Sequence, residues 1–281
     1  MKDDARPPFY AALAQSLERR DLRLEEVCRA DNVIARRVFE EYGAMFVASL
    51  SVLVPPTCVF KSEEEVQRFQ RAAGIGAADF GGCTIELQPA ALAALLAARA
   101  EAEGAGHSIT PRDGAEGARR GYGDTLRLWQ SRFLPALEYW SGQGRLAPED
   151  AARLRALAPS EQVAAVLELE REGIFFSKDF SKTILQSVAA PGTSPHLSMY
   201  AFDVVEFKEP TVQRILARHG WFQTIESDLP HFTFLGYDER ELPAHGLRRV
   251  EAHGQVFWIP NLVERDREDA QRSGDGGDAT R

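Results

Sequence analysis

Five of the six histidines in this chain, His196, His219, His231, His245 and His253, fall in its last third, and two of them keep acidic company. His196, in Ser194-Pro195-His196, is followed seven residues later by Asp203, and His231 follows Asp228 by three. Zinc in hydrolases typically takes three protein ligands from imidazole and carboxylate groups and leaves a fourth position for water, whose pKa then falls to about 7. His196, Asp203 and His231 supply that donor set. A carboxylate near such a water, but not itself a ligand, can take its proton and pass it to a leaving amine. Asp228 is the candidate base, and Glu226 is the fallback, further along the chain from His231.

The backbone has to satisfy conditions for these groups to meet. Residues an odd number apart on a regular strand face opposite sides, so His196 and Asp203 can share one ion only if a turn or bulge lies between them. Leu197 to Tyr200 must provide it. Pro230 interrupts strand pairing, which predicts Asp228 in a turn and His231 to Phe234 continuing as strand.

Around this pair of motifs the chain after Gly173 reads as β: IFF, TSPHLSMYAFDVVEF, GWFQTI, HFTFLGY and QVFWIP, with one helix from Pro210 to His219. The C-terminal third is thus a small mixed sheet. Upstream, apolar spacing predicts helices over Phe9 to Leu17, Val33 to Tyr42, Glu63 to Ala72 and Pro89 to Ala102, and a short β-rich stretch over Met45 to Val54, stopped by Pro55 and Pro56. Gly104 to Gly123 is glycine-rich and irregular, the kind of long loop that often carries function. Leu126, Trp129, Phe133, Leu137 and Trp140 recur at helical spacing, which makes them core rather than a ligand box, and Pro135 should kink or divide their helix. Leu146 to Arg171 reads as one further helix. Beyond Val263 charge and glycine dominate, and a disordered tail is expected.

Composition excludes several functions. The chain of 281 residues is 44% hydrophobic, enough for a substantial core. A net charge of −9, with no cluster of Lys and Arg interleaved with aromatics, argues against nucleic acid and against adhesion to anionic surfaces. No apolar run is long enough to span a bilayer, and the opening MKDDARPPFYAALAQSLERR lacks the features of a secretory signal. The chain as written is expected to be soluble, periplasmic or extracytoplasmic if exported by another route and cytoplasmic otherwise. Cys28, Cys58 and Cys83 are widely spaced and odd in number, and they read as small buried hydrophobes rather than a disulfide framework or a zinc site.

Two local motifs sharpen this reading. SPHLSMYAFD resembles the S-x-H-x-x-G-x-A-x-D pattern of the D-Ala-D-Ala carboxypeptidase (VanY-like) metallopeptidases at Ser194, His196, Ala201 and Asp203, with Met199 standing where the family usually has glycine. DLPHF, from Asp228 to Phe232, resembles the family's acid-x-x-His motif in the form found in L-alanyl-D-glutamate endopeptidases and phage endolysins. The carboxypeptidase branch more often has Glu there, which leaves the scissile bond open. More loosely, Arg120 to Thr125 looks like the family's R-S-Y-x-x-Q segment, with Gly121 and Thr125 substituted. There the arginine binds a substrate carboxylate or carbonyl, a role that suits the two parallel hydrogen bonds a guanidinium can make. Arg119 competes with Arg120 for it.

The resemblance covers Arg119 to Thr125 and Ser194 to Gly236. It implies an α+β fold of the Hedgehog/DD-peptidase kind, in which a small antiparallel sheet carries the zinc. Residues 1–103 then form a large, mainly helical N-terminal region, 104–262 a metallopeptidase-like catalytic domain with a helical insertion at 125–172, and 263–281 the tail. The implied function is hydrolysis of a peptide bond in the peptidoglycan stem peptide. His196, Asp203 and His231 would be the Zn2+ ligands, Asp228 the base and Arg120 the substrate anchor. Ser194, which orients His196 or its loop, joins His219 and Trp221 as candidate cleft residues; His219 would steady a developing oxyanion, while packing is the other reading of Trp221. The rival from a different class is a zinc-containing module without turnover that binds wall peptides or a protein partner.

Overall fold

The computed structural model describes residues 8–28 and 33–263, so most of the expected tail lies outside it. The chain begins with α1 (Pro8–Glu18), α2 (Leu24–Val27) and α3 (Val33–Tyr42), followed by α4 (Glu63–Ala73), the hairpin β1 (Gly76–Asp79) and β2 (Thr84–Leu87), and α5 (Pro89–Gly104). Helix α4 starts where Ser62 accepts a hydrogen bond from the Glu65 amide, and three glutamates in its first turn complement the helix dipole. Pro89 opens α5, whose Ala- and Leu-rich sequence has high helix propensity. The β-rich stretch expected over Met45–Val54 is not a strand. Gly43–Val47 forms a fully buried 3-10 turn instead, because a short apolar run does not by itself separate strand from buried turn.

The segment expected as a helical insertion consists of α6 (Tyr122–Gly142), α7 (Pro148–Ala156) and α8 (Pro159–Arg171). Helix α6 runs through Pro135 without dividing. The single helix expected over Leu146–Arg171 is two, since Ala158 precedes Pro159 and takes an extended conformation, φ −62° and ψ 153°. The IFF segment is also not a strand. The Phe176 and Ile184 amides and the Thr183 hydroxyl donate to the buried Glu170 carboxylate, so this loop satisfies its polar groups without a sheet partner.

Three antiparallel strands, β3 (Ala201–Asp203), β4 (Trp221–Phe222) and β5 (His231–Phe234), lie in the order β3-β5-β4, with α9 (Pro210–Arg218) between β3 and β4 in sequence. The hairpin β6 (Leu247–Ala252) and β7 (Gln255–Pro260) closes the fold, and β7 joins the sheet region through the Trp258 amide to the Gln223 carbonyl. The architecture is therefore mixed helix and small antiparallel sheets.

One core joins α1, α3, α5 and α9 to the three-stranded sheet through residues such as Phe9, Phe46, Leu95, Phe202 and Trp221. The insertion has a core of its own around Trp129, Phe133, Val166 and Phe176. Cys28 and Cys58 are buried as expected but are disulfide-bonded, their Cα atoms 5.5 Å apart, which corrects the reading of the cysteines as unpaired small hydrophobes; Cys83 is free. Their separation of 30 residues gives no sequence cue to the pairing.

Candidate metal centre

His196 sits in a single 3-10 turn, Pro195–Ser198, that ends on Met199 in the left-handed conformation, φ 57° and ψ 34°. This is the reversal that Leu197–Tyr200 had to supply, and it turns the chain so that β3 starts at Ala201. Glycine reaches left-handed backbone without steric cost and methionine does not. Buried glutamines fix the turn: Gln70 Nε2 donates to the Leu197 and Arg120 carbonyls, and Gln88 Nε2 to the Ser198 carbonyl. Asp203 and His231 are direct register partners across β3 and β5, so strand pairing alone brings them face to face.

The result is a triangle of donor atoms. His196 Nε2 lies 3.1 Å from His231 Nδ1 and 3.3 Å from Asp203 Oδ1, and His231 Nδ1 lies 3.2 Å from the same oxygen. All three residues are buried. The outer atoms are engaged as well: His196 Nδ1 faces the Ala118 carbonyl at 3.3 Å, His231 Nε2 faces Thr233 Oγ1 at 3.2 Å, and Arg120 Nη2 donates to Asp203 Oδ2 at 3.2 Å. A carbonyl only accepts, so His196 carries its proton on Nδ1 and turns a bare Nε2 inward. Such outer partners set the tautomer and orientation of metal ligands.

Electrostatics agrees with that assignment. Burial first, and then the Arg120 charge, push the His196 imidazole down to about 4 against the pull of Asp203, so it is neutral near pH 7. Burial by itself would raise the Asp203 carboxyl, but the neighbouring His196 and His231 hold it well below the usual carboxylate range. A neutral His196 and an ionised Asp203 are in the protonation states in which these groups bind metals. At ligand distances of about 2.0–2.2 Å, the donors of a tetrahedral zinc stand roughly 3.3–3.6 Å apart. The three edges here, 3.1–3.3 Å, lie at or just inside that spacing. The His196–Asp203–His231 group can therefore hold a metal ion.

The triangle forms part of the wall of a cleft of about 490 Å³. Asp228, Arg120 and Ser194 line the same cleft. Asp228 follows a turn and its carbonyl accepts from the His231 amide at 3.1 Å, as the position of Pro230 predicts. The residue is exposed to solvent at the cleft. Crowding by the surrounding protein, and then the Asp203 charge, raise its carboxyl above the ordinary range, opposed by His231, Arg120 and Arg112. Glu226, the fallback, is exposed and does not line the cleft.

Two candidates fall elsewhere. His219, at the end of α9, pairs through Nε2 with Glu101 of α5 at 2.8 Å, because α9 packs on α5. Trp221 lies on β4, the strand farthest from β3, packs against Phe202 and Phe234, and lines a separate groove. Neither lines the cleft. Arg119 is drawn away by Glu86 and Gln70, at 2.6 and 2.8 Å, which leaves Arg120 as the arginine at the centre. Arg120 itself is occupied by Asp203 and, through Nε, by the Glu116 carbonyl at 2.8 Å. The ring of His196 is oriented by Ala118 rather than by Ser194.

Sequence reasoning missed Thr233, Gln70, Gln88 and the cleft residues Tyr42, Arg112 and Arg132. Thr233 had a signal, since it stands two residues after His231 on the same strand face. Comparisons of the chain with protein-family models, with curated proteins and with solved structures found no match.

Proposed function

We propose that the protein is a zinc metallopeptidase that hydrolyses a peptide bond in the peptidoglycan stem peptide, of the D,D-carboxypeptidase or L-Ala-D-Glu endopeptidase type. The observation that carries the proposal is the closure of three ligand atoms from two motifs within 3.3 Å of one another, with a separate carboxylate in the same cleft. Zinc, when bound by His196, Asp203 and His231, supplies a Lewis acid and lowers the pKa of water there.

The chain's own residues do the rest. Asp228 takes the proton of the attacking water and delivers it to the leaving amine. A carboxyl raised above its ordinary range suits that task, since it must hold the proton between the two events. Arg120 fixes the Asp203 carboxylate from the side away from the triangle, and Thr233 and the Ala118 carbonyl fix the two imidazoles.

Incubating the zinc-loaded protein with purified muropeptides and weighing the products tests the reading. Loss of terminal D-Ala identifies a carboxypeptidase and cleavage after L-Ala an endopeptidase. Replacing Asp228→Ala should cut the rate by about 100-fold or more while the metal stays bound. Intact muropeptides after incubation with the native protein, or an Asp228→Ala rate equal to native, would reject it.

A further inference from the structure

The notable feature of the cleft outside the metal triangle is its arginines. In a chain of net charge −9, the described arginines are mostly tied to carboxylates, as in Arg119 with Glu86, Arg127 with Glu116 and Arg120 with Asp203. Arg112 and Arg132 both line the cleft, and neither has a carboxylate within ion-pair distance among the described residues.

Arg132 is prepared rather than merely exposed. It is half-buried, its Nε donates to Ser187 Oγ at 3.0 Å, and its Nη1 donates to Ser131 Oγ at 2.9 Å. Nη2 is left without a protein acceptor among the described residues. Thr125, Leu128 and Arg132 share one face of α6 and turn it to the cleft, while Trp129, Phe133 and Leu137 bury the other face. Arg112 is held close to the metal triangle by its backbone, whose amide donates to the Asp203 carbonyl at 2.8 Å. Its guanidinium lies over the Phe207 ring, 5.8 Å from the centroid.

Arg120, the residue matched to the family's substrate anchor, already gives hydrogen bonds to Asp203 and Glu116. Neither of the other two cleft arginines has a carboxylate within ion-pair distance among the described residues, although Arg112 lies close enough to Asp228 to act on its charge, and a guanidinium favours carboxylate over neutral amide because only the former gives charge-assisted, two-pronged hydrogen bonds.

We propose that Arg132 and Arg112 bind free carboxylates of the substrate peptide, so that the cleft selects stem peptides with free carboxyl groups over amidated ones, and that Arg120 is a positioning residue for Asp203. This assigns the helical insertion a role, since α6 brings Arg132 to the cleft. The proposal rests on the peptidase reading for its choice of peptide, and its test does not need turnover.

Full-length protein stripped of metal with a chelator, which stops hydrolysis, is titrated calorimetrically with L-Ala-γ-D-Glu-L-Lys-D-Ala-D-Ala. Two analogues, amidated at the D-Glu α-carboxyl or at the C-terminus, are titrated in parallel. The expected result is roughly tenfold or greater weakening on at least one amidation. That preference should vanish in Arg132→Gln with Arg112→Gln and survive in part in Arg132→Lys, which keeps the charge but not the fork. Thermal melting of each variant near native confirms that the fold is kept. No binding, equal affinity for the three peptides, or a preference that persists in the double variant overturns the proposal. A chain that binds selectively yet hydrolyses no muropeptide contradicts the peptidase reading alone.

Discussion

His196 Nε2, His231 Nδ1 and Asp203 Oδ1 stand 3.1–3.3 Å apart. Without an ion, a neutral His231 with its proton on Nδ1 can bridge them, since the Thr233 hydroxyl can donate to Nε2, but any second proton has to charge a buried imidazole, which the fold resists. His196 is the group most affected, its folded pKa being depressed from 6.5 to about 4. Between those values the unfolded chain binds more protons than the folded one, so stability rises with pH. The contribution is complete above pH 6.5 and is lost as pH falls through about 4. For a shift of this size it amounts to roughly 3 kcal/mol. Denaturant unfolding of the metal-free protein should therefore show stability falling over that window, with His196→Gln flattening the slope; a native curve flat from pH 7 to 4 would refute the assignment. At this scale much was legible. His196, Asp203, His231 and Asp228 stand in two short stretches whose spacing carries the chemistry. Gln70, Gln88 and Ala118 were not legible, because each meets the His196 turn across 78 to 127 residues and nothing local marks a glutamine or a carbonyl for that role.

The elements that present these residues are held by two strained or crowded points. Met199 occupies left-handed backbone, at a cost of about 1–2 kcal/mol relative to glycine. Its side chain is fully buried, and removing a buried methionine costs roughly 2–5 kcal/mol. Burial wins, so Met199→Gly should destabilise the protein by a net one to a few kcal/mol in denaturant unfolding despite relaxing the backbone; a stabilised variant would show that strain dominates. Gly192, at φ 78°, accepts a hydrogen bond from the Phe60 amide, and any β-carbon there would collide with the Phe60 carbonyl. Most helices could be read from apolar period and opening residues, as with Ser62 at α4 and Pro89 at α5. The failures have a common cause. Gly43–Val47 and Ile174–Phe176 are apolar runs whose form is set by tertiary partners, the surrounding core in one case and the Glu170 carboxylate in the other.

Across the whole molecule, the N-terminal helices and the sheet that carries Asp203 and His231 share one core, so the sheet is not an independent support for the triangle. Tyr42, at the end of α3, even reaches the cleft. The insertion packs around its own core and contributes one wall. The Cys28–Cys58 disulfide fastens the end of α2 to the segment before α4, and closing a loop of 30 residues contributes about 3–4 kcal/mol in the chain-entropy account. Disulfides persist in oxidising compartments. Alkylation without reduction, followed by mass spectrometry, should label Cys83 and spare Cys28 and Cys58; labelling of all three in protein isolated from oxidising conditions would contradict the pairing. No helix among the described residues is long and apolar enough to cross a membrane.

The central claim is that one ion completes the His196–Asp203–His231 triangle, and elemental mass spectrometry of protein purified without added metal tests it most directly. The expected result is about one zinc per chain, lost in His196→Ala and in His231→Ala and kept in Asp228→Ala. Native protein that carries no zinc and takes none up on titration, or variants at 196 and 231 that bind it as well as native, would contradict the account.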